Sequence, residues 1–237
     1  MRRSVLASAL ALSFAVGTAE AQIGTREVTL NRAWGWDRTS GVTSHGYYVG
    51  PYGGSSPGLP NLDLFCVDFL NGVSLNDTWT ARFTSLADLM GGTPGALGGT
   101  RFGQRYLGDP GAYPDPVVRY QKAAWLAMQF EDASTGSWGG IHQAIWNQFT
   151  SSPSWTDAGG STWRYRANAA AGDGSFNNIN WQYWYVVTDV RTGDVKPAYG
   201  GKQEYLTYVT PEPETLFLMA TGLVAVIGYA VVSRRFV

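Results

Sequence analysis

The stretch Leu62-Asp63-Leu64-Phe65-Cys66-Val67-Asp68-Phe69 is the strongest strand signal in the body of this chain, because it is mostly apolar and aromatic. Successive side chains of a strand point to opposite faces. One predicted face carries Leu62, Leu64 and Cys66, and the other carries Phe65, Val67 and Phe69. The segment therefore predicts a strand that holds the single cysteine of the sequence.

Further strands are predicted on both sides of this segment, at residues 26–30, 78–83, 181–190 and 204–209. The turn-forming pairs Asn71-Gly72 and Asn76-Asp77 lead into residues 78–83, which we expect to lie beside the strand of Cys66. Residues 34–60 are rich in Gly, Ser, Tyr and Trp, and residues 150–178 in Ser, Gly, Asn and Asp, so loops around short strands are expected in the first stretch and loops in the second.

A helical pair is predicted in the middle of the chain. Asp115-Pro116 is a favourable helix start, and apolar residues follow at helical spacing through residue 130. A second helix is predicted from residue 137 or 138 to 149, with Trp138, His142, Ile145 and Phe149 on one stripe. The short connection favours an antiparallel pair. The expected fold class is α+β, a β-sandwich or barrel-like body with an inserted antiparallel helical pair.

Composition excludes several classes of function. The chain has 237 residues with a net charge of −1 and no basic run, so we expect no nucleic-acid partner. Two histidines and one cysteine provide no zinc-type cluster, and no phosphate-binding loop appears, so no metal or cofactor is predicted. A single cysteine also cannot form an internal disulfide.

The N-terminus is typical of a secretory signal peptide. Arg2-Arg3 precede an apolar run at residues 5–16, and Ala19-Glu20-Ala21 has the small-x-small pattern of a cleavage site. Residues 1–21 are therefore predicted to be removed, leaving residues 22–210 as one extracytoplasmic domain.

The C-terminus contains three parts in order: Pro211-Glu212-Pro213, an uncharged run at residues 215–232, and Arg234-Arg235. The apolar run is about the shortest that crosses a bilayer core as one helix. The arginine pair would remain cytoplasmic and leave the body outside. Residues 211–237 are therefore predicted to form a single transmembrane helix with a membrane stop at Arg234 and Arg235.

This tail resembles the PEP-CTERM sorting signal of exported proteins from Gram-negative bacteria. The resemblance implies an exosortase-type membrane protease as a partner, anchorage in the inner membrane before processing, and release to the cell surface or outside afterwards. It also implies a setting of extracellular polysaccharide and biofilm. An ordinary single-pass anchor is the alternative.

Three motifs of the body resemble the thioester domains of bacterial surface adhesins. They are Leu64-Phe65-Cys66-Val67-Asp68, then Tyr120-Gln121-Lys122-Ala123-Ala124-Trp125-Leu126, then Ile141-His142-Gln143-Ala144-Ile145-Trp146. In that family the Cys and the Gln of the third motif condense with loss of ammonia. Aligned on Ala144-Ile145-Trp146, the reactive glutamine falls on His142, with Gln143 one position along and Gln121 at a second, structural glutamine. The resemblance therefore implies the fold without the reactive bond.

Four functions follow as alternatives. We expect a non-enzymatic structural or adhesive protein in the cell surface or extracellular matrix. A covalent thioester adhesin would need a carboxamide beside Cys66, and a Cys-His hydrolase would need His142 beside the thiol, with Asp68 orienting it. A carbohydrate-binding module would use exposed rings among Trp34, Trp36, Trp155, Trp163, Trp181 and Trp184 to bind a polysaccharide; a surface protein is another candidate partner.

Overall fold

The computed structural model describes residues 24–33, 41–111, 115–153, 159–191 and 201–210. Within these residues the strands are β1 (Thr25–Arg32), β2 (Val42–Ser44), β3 (Tyr47–Val49), β4 (Tyr52–Ser56), β5 (Leu59–Cys66), β6 (Thr78–Ser85), β7 (Trp184–Asp189) and β8 (Tyr205–Tyr208). Six of them close into an antiparallel barrel in the order β1-β4-β5-β8-β7-β6. β2 and β3 form a separate hairpin. Of the predicted architectures, the barrel is the one observed.

The two faces of β5 are divided as its sequence predicts. Cys66 lies opposite Tyr205 in the β5–β8 pair, and both are fully buried. Phe65 points the other way and stacks on Phe130 of the helical layer, with ring centroids 5.9 Å apart. Cys66 therefore faces the barrel interior, and Phe65 joins the barrel to the helices.

All the α-helices of the described residues lie between β6 and β7. They are α1 (Leu86–Met90), α2 (Arg101–Gly108), α3 (Pro116–Asp132), α4 (Trp138–Trp146) and α5 (Gly160–Gly172). Asp115 caps α3 as predicted, since its side chain accepts from the Val117 amide ahead of Pro116 at the first turn. α3 packs on α4, and α5 packs on both.

The strand directions give the barrel two distinct ends. β1 and β8 run in opposite directions, so the start of β1 and the end of β8 share one end with the β4–β5 turn at residues 57–58. We call this the proximal end. The opposite distal end contains the end of β5 at Cys66 and the start of β8 at Tyr205. The tail therefore follows the proximal end.

Several sequence-based predictions of the fold need correction. β6 does not pair with β5; it pairs with β1 and β7, while β5 pairs with β4 and β8. The partners of each strand are set by closure of the barrel, which pairs residues far apart in sequence. The turns between β5 and β6 connect two strands that are not neighbours in the barrel. The strand of Cys66 also ends at Cys66 and does not reach Phe69.

The insertion contains more helices than the predicted antiparallel pair. α5 lies inside residues 150–178, which were expected to be loops, and it completes a cluster with α3 and α4. None of the helices in the described ranges has the length and apolar character needed to cross a membrane. The predicted transmembrane helix and the signal peptide both lie outside the described residues.

Candidate functional site

His142 and Cys66 lie in contact at the distal end, but through the backbone of Cys66. The imidazole Nε2 of His142 hydrogen-bonds the Cys66 carbonyl oxygen at 3.0 Å. Its Nδ1 accepts from the Gly50 amide at 2.9 Å. Because the amide can only donate, the proton of the neutral ring is assigned to Nε2, which donates to the carbonyl. Both ring nitrogens are therefore engaged by backbone groups, one at the end of β5 and one in the connection between β3 and β4.

Burial keeps the His142 ring neutral. The side chain is fully buried, with the rings of Tyr52, Phe130 and Trp146 at centroid distances of 5.9, 5.8 and 4.4 Å. Burial lowers the pKa of His142 to about 3, against a smaller opposing effect of the hydrogen bond to Cys66. An imidazole with this pKa is a weak general base.

The Cys66 thiol is held in its protonated form. Its Sγ donates to the Asp68 carbonyl oxygen at 3.4 Å, and the residue has no exposed surface. Burial, followed by the negative charge of Asp68, raises the pKa of Cys66 to about 12. Since the thiolate is the reactive form of cysteine, this environment is that of an inert thiol.

Asp68 contacts groups other than His142. Its carboxylate pairs with Arg101 at 3.0 Å and accepts from the Leu70 amide and the Asn71 side chain. The predicted candidates Cys66, His142 and Asp68 are thus neighbours, but their hydrogen bonds do not form the relay that Cys-His chemistry uses.

Neither predicted glutamine faces Cys66. A Cβ added to Gly160 would lie 2.1 Å from the Gln143 Oε1 atom, so the Gln143 carboxamide lies over α5. Gln121 donates to the Met90 sulfur at 3.3 Å, beside α1. Of the two adjacent positions, His142 rather than Gln143 therefore faces Cys66, and its side chain carries no carboxamide.

A third glutamine, which the sequence reasoning missed, lies near the thiol. The Gln203 amide donates to the Asp68 carbonyl at 3.3 Å, the same oxygen that accepts from Cys66. Its Oε1 accepts from the Tyr205 hydroxyl at 2.9 Å. The β5–β8 register would have shown this proximity, since Cys66 lies opposite Tyr205 and Gln203 is two residues earlier.

A buried polar network, also missed, joins the helices to the barrel. The Glu204 carboxylate accepts from the Tyr120 hydroxyl, from the Thr188 hydroxyl at 2.6 Å and from the Arg101 amide at 2.7 Å. The Arg101 side chain in turn pairs with Asp68 and donates to the Lys202 carbonyl. Burial raises the pKa of Glu204, against the effect of these donors. The network links β8 to α2, α3 and β7.

The aromatic residues considered for sugar binding fall into three groups. Trp34, Trp36 and Trp155 lie outside the described residues. Trp163 and Trp181 are half-buried, and Trp184 is buried. The more exposed rings are tyrosines, with Tyr47 and Tyr48 on β3 at 47% and 48% exposure and Tyr165 on α5 at 74%. Within the part of the chain described, no three His, Cys, Asp or Glu side chains form a group suited to a metal ion.

Comparison with known proteins identifies the tail. Residues 209–235 match the PEP-CTERM protein-sorting motif. The chain carries an exosortase sorting signal. This motif indicates export, sorting to the cell surface and processing by an exosortase membrane enzyme, as its resemblance predicted. The match starts at Val209, whose amide still bonds the Tyr183 carbonyl beside β8, so the sorting motif begins where the barrel ends.

No curated protein and no solved structure matches the chain at a significant level. The resemblance of the body to thioester adhesin domains therefore gains no support from relatives.

Proposed function

We propose that this protein is an exported, exosortase-processed component of the cell surface or extracellular matrix, with a structural or adhesive role. The observation that carries the proposal is the sorting motif at residues 209–235 joined directly to β8 of a closed barrel. In this proposal residues 1–21 are a signal peptide, residues 22–210 are the functional body, and residues 211–237 hold the body at the inner membrane until processing.

Non-covalent contact is the mode of attachment that the site supports. A thioester needs a thiol and a carboxamide carbon in contact, and the carboxamides of Gln121 and Gln143 are turned to α1 and α5. The carboxamide of Gln203 is the one near the thiol, and it is hydrogen-bonded to the Asp68 carbonyl and the Tyr205 hydroxyl. The thiol itself is buried with a raised pKa. These features support Cys66 and His142 as structural residues of the core, without enzymatic chemistry.

The sorting step is tested by changing Pro211, Glu212 and Pro213 to alanine together and following the protein through cell fractions. We expect the wild type in the medium or on the cell surface, and the triple variant retained in the inner membrane. The matched control is Pro60→Ala, an exposed proline of β5. Release of the triple variant at the wild-type rate would contradict exosortase processing.

A polysaccharide partner is a second candidate, favoured by an aromatic group at the distal end. The half-exposed ring of Tyr47 lies 5.1 Å from Phe69 and 6.5 Å from Trp146, measured between centroids. A supported, exposed ring can stack on a sugar face. We expect Tyr47→Ala to weaken binding of exopolysaccharide in a fluorescence titration and Tyr165→Ala to leave it unchanged. Equal titrations of both variants would contradict this role.

A further inference from the structure

The proximal end of the barrel carries a group of aromatic side chains beside the point where the tail begins. Trp181 and Tyr183 lie in the 3-10 turn before β7, and Tyr208 is the last residue of β8. Tyr208 is 42% exposed, and the other two are half-buried. We call Trp181, Tyr183 and Tyr208 the proximal aromatic surface.

These rings are fixed in place by their contacts. The rings of Tyr183 and Tyr208 meet edge to face with centroids 6.1 Å apart, and Tyr208 also contacts Trp184 at 5.4 Å. Trp181 meets Phe176 at 5.5 Å. The Val209 amide donates to the Tyr183 carbonyl and ties the turn to the exit of the chain. The surface therefore keeps its shape where the tail leaves the barrel.

The length of the connecting chain restricts where this end can lie. Six residue steps separate Thr210 from Leu216, the first large apolar residue of the tail. An extended chain spans at most about 3.6 Å per residue, so the reach is about 20 Å. The start of β1, which follows the signal peptide by a few residues, lies at the same end. A tail inserted in the bilayer must therefore keep the proximal end near the headgroups.

We propose that the proximal aromatic surface seats the barrel on the lipid headgroup layer while the tail is in the membrane. This inference rests on the membrane-anchored stage of the proposed function. Tyrosine and tryptophan have an apolar ring and a polar edge, and they are enriched at both membrane interfaces for this reason. The partner is the bilayer surface itself.

Charge does not select an anionic lipid at this end. The charged residues that the chain order places at this end are two basic and four acidic: Arg26 and Glu27 on β1, Arg82 on β6, Asp88 on α1, and Glu212 and Glu214 in the tail. Basic clusters are what attract anionic lipid headgroups. Seating therefore depends on the rings, and it does not require an anionic bilayer.

Spin labels on the full-length chain in lipid nanodiscs test the inference. Labels are placed at Asn61→Cys near the proximal end, at Gly72→Cys in the connection at the distal end, and at Ala225→Cys within the tail. Asn61 and Gly72 are both exposed, while the native Cys66 is buried and remains unlabelled. Oxygen, which partitions into lipid, and a nickel chelate, which stays in water, report the environment of each label.

We expect the labels at residues 61 and 225 to be accessible mainly to oxygen, and the label at residue 72 to be accessible mainly to the nickel chelate. Replacing Trp181, Tyr183 and Tyr208 together by serine should move the residue 61 label into water and leave the residue 225 label in lipid. The control is Tyr165→Ser, an exposed tyrosine of α5, which should change neither label.

Two results would overturn the inference, and they are distinguishable. In the first, the label at residue 225 is in lipid, but the label at residue 61 is in water or stays in lipid after the serine substitutions. The tail then inserts, but the aromatic surface does not seat the barrel. If the label at residue 225 is itself in water, membrane anchorage fails, and the seating fails with it. The comparison of residues 61 and 72 in the unsubstituted chain holds even if the triple variant does not fold.

Discussion

The imidazole of His142 hydrogen-bonds the backbone carbonyl of Cys66 at 3.0 Å, while the thiol of Cys66 donates to the carbonyl of Asp68. The two side chains that the sequence singles out as chemical candidates therefore use their polar atoms to hold the backbone. The ring joins α4 to the end of β5 at Cys66 and to the β3–β4 connection at Gly50. Substitution of His142 should therefore change the stability of the fold and leave the reactivity of the Cys66 thiol unchanged.

Cys66 should be almost unreactive in the folded protein. Because the thiol is buried and its pKa is raised to about 12, alkylation by iodoacetamide at pH 8 should be far slower in buffer than in guanidinium chloride. His142→Gln, in a folded sample, should not slow it further. Rapid alkylation that depends on His142 would instead show a catalytic dyad.

The stability contributed at residue 142 should depend on pH. The pKa of His142 falls from 6.5 to about 3 on folding, so between these values the unfolded state binds more protons and stability falls as pH falls. Between about pH 6 and about pH 3 the loss should approach about 1.4 kcal/mol per pH unit. The comparison variant is His142→Gln, because the glutamine side chain keeps one hydrogen-bond donor and one acceptor but has no group that titrates in this pH range.

The advantage of wild type over His142→Gln in unfolding free energy should therefore shrink from pH 7 to pH 4, as measured by denaturant titration. The other titrating groups are common to both proteins and cancel in the difference. A difference that stays constant with pH would show that His142 is not held neutral by burial.

The Glu204 network should be a main link between the helical layer and the barrel. Glu204→Ala would leave Tyr120, Thr188 and the Arg101 amide without their buried acceptor, and we expect a loss of about 3 kcal/mol or more of unfolding free energy. Tyr120→Phe, which removes one hydroxyl, should cost about 1–2 kcal/mol.

The control for this network is Glu131→Ala, an exposed acid near the end of α3, which should change stability by less than about 0.5 kcal/mol. If Glu204→Ala and Glu131→Ala lower the unfolding free energy equally, in thermal or denaturant unfolding, the Glu204 network does not link the helices to the barrel.

A pair of glycine substitutions on α5 tests the direction of Gln143. Gly160→Ala would place a Cβ 2.1 Å from the Gln143 Oε1, and because Gln143 is buried, the carboxamide has little room to move. We expect a clear loss of stability. At Gly172, the last residue of α5, no atom lies within 4 Å of an added Cβ, so Gly172→Ala should be neutral or stabilise by up to about 1 kcal/mol. A neutral Gly160→Ala would mean that Gln143 faces elsewhere.

The sequence predicts the local elements of this fold better than their partners. The apolar run from Leu62 to Phe69 and the Asp115-Pro116 start each carry a strong local signal. Both elements are observed, although the strand ends at Cys66. α5 was missed because its buried residues are small, such as Ala167 and Ala170, and leave little hydrophobic periodicity. The pairing of β5 with β4 and β8 depends on closure of the barrel, which no local pattern records.

The site was predicted in part. The alignment of His142 with a position that faces Cys66 is consistent with the observed contact, because a helix rotates about 100° per residue and turns Gln143 away. Gln203 and Glu204 were missed because their importance comes from strand register and from helices distant in sequence.

The intact mass of the mature protein recovered from the medium tests the central claim most directly. We predict a chain that begins at Gln22 and ends after Thr210 within the tail, with the mass expected from its sequence and no shift after methylamine treatment. A chain that retains Arg234-Arg235 would contradict exosortase processing. A mass lower by one ammonia that rises with methylamine would contradict non-covalent attachment.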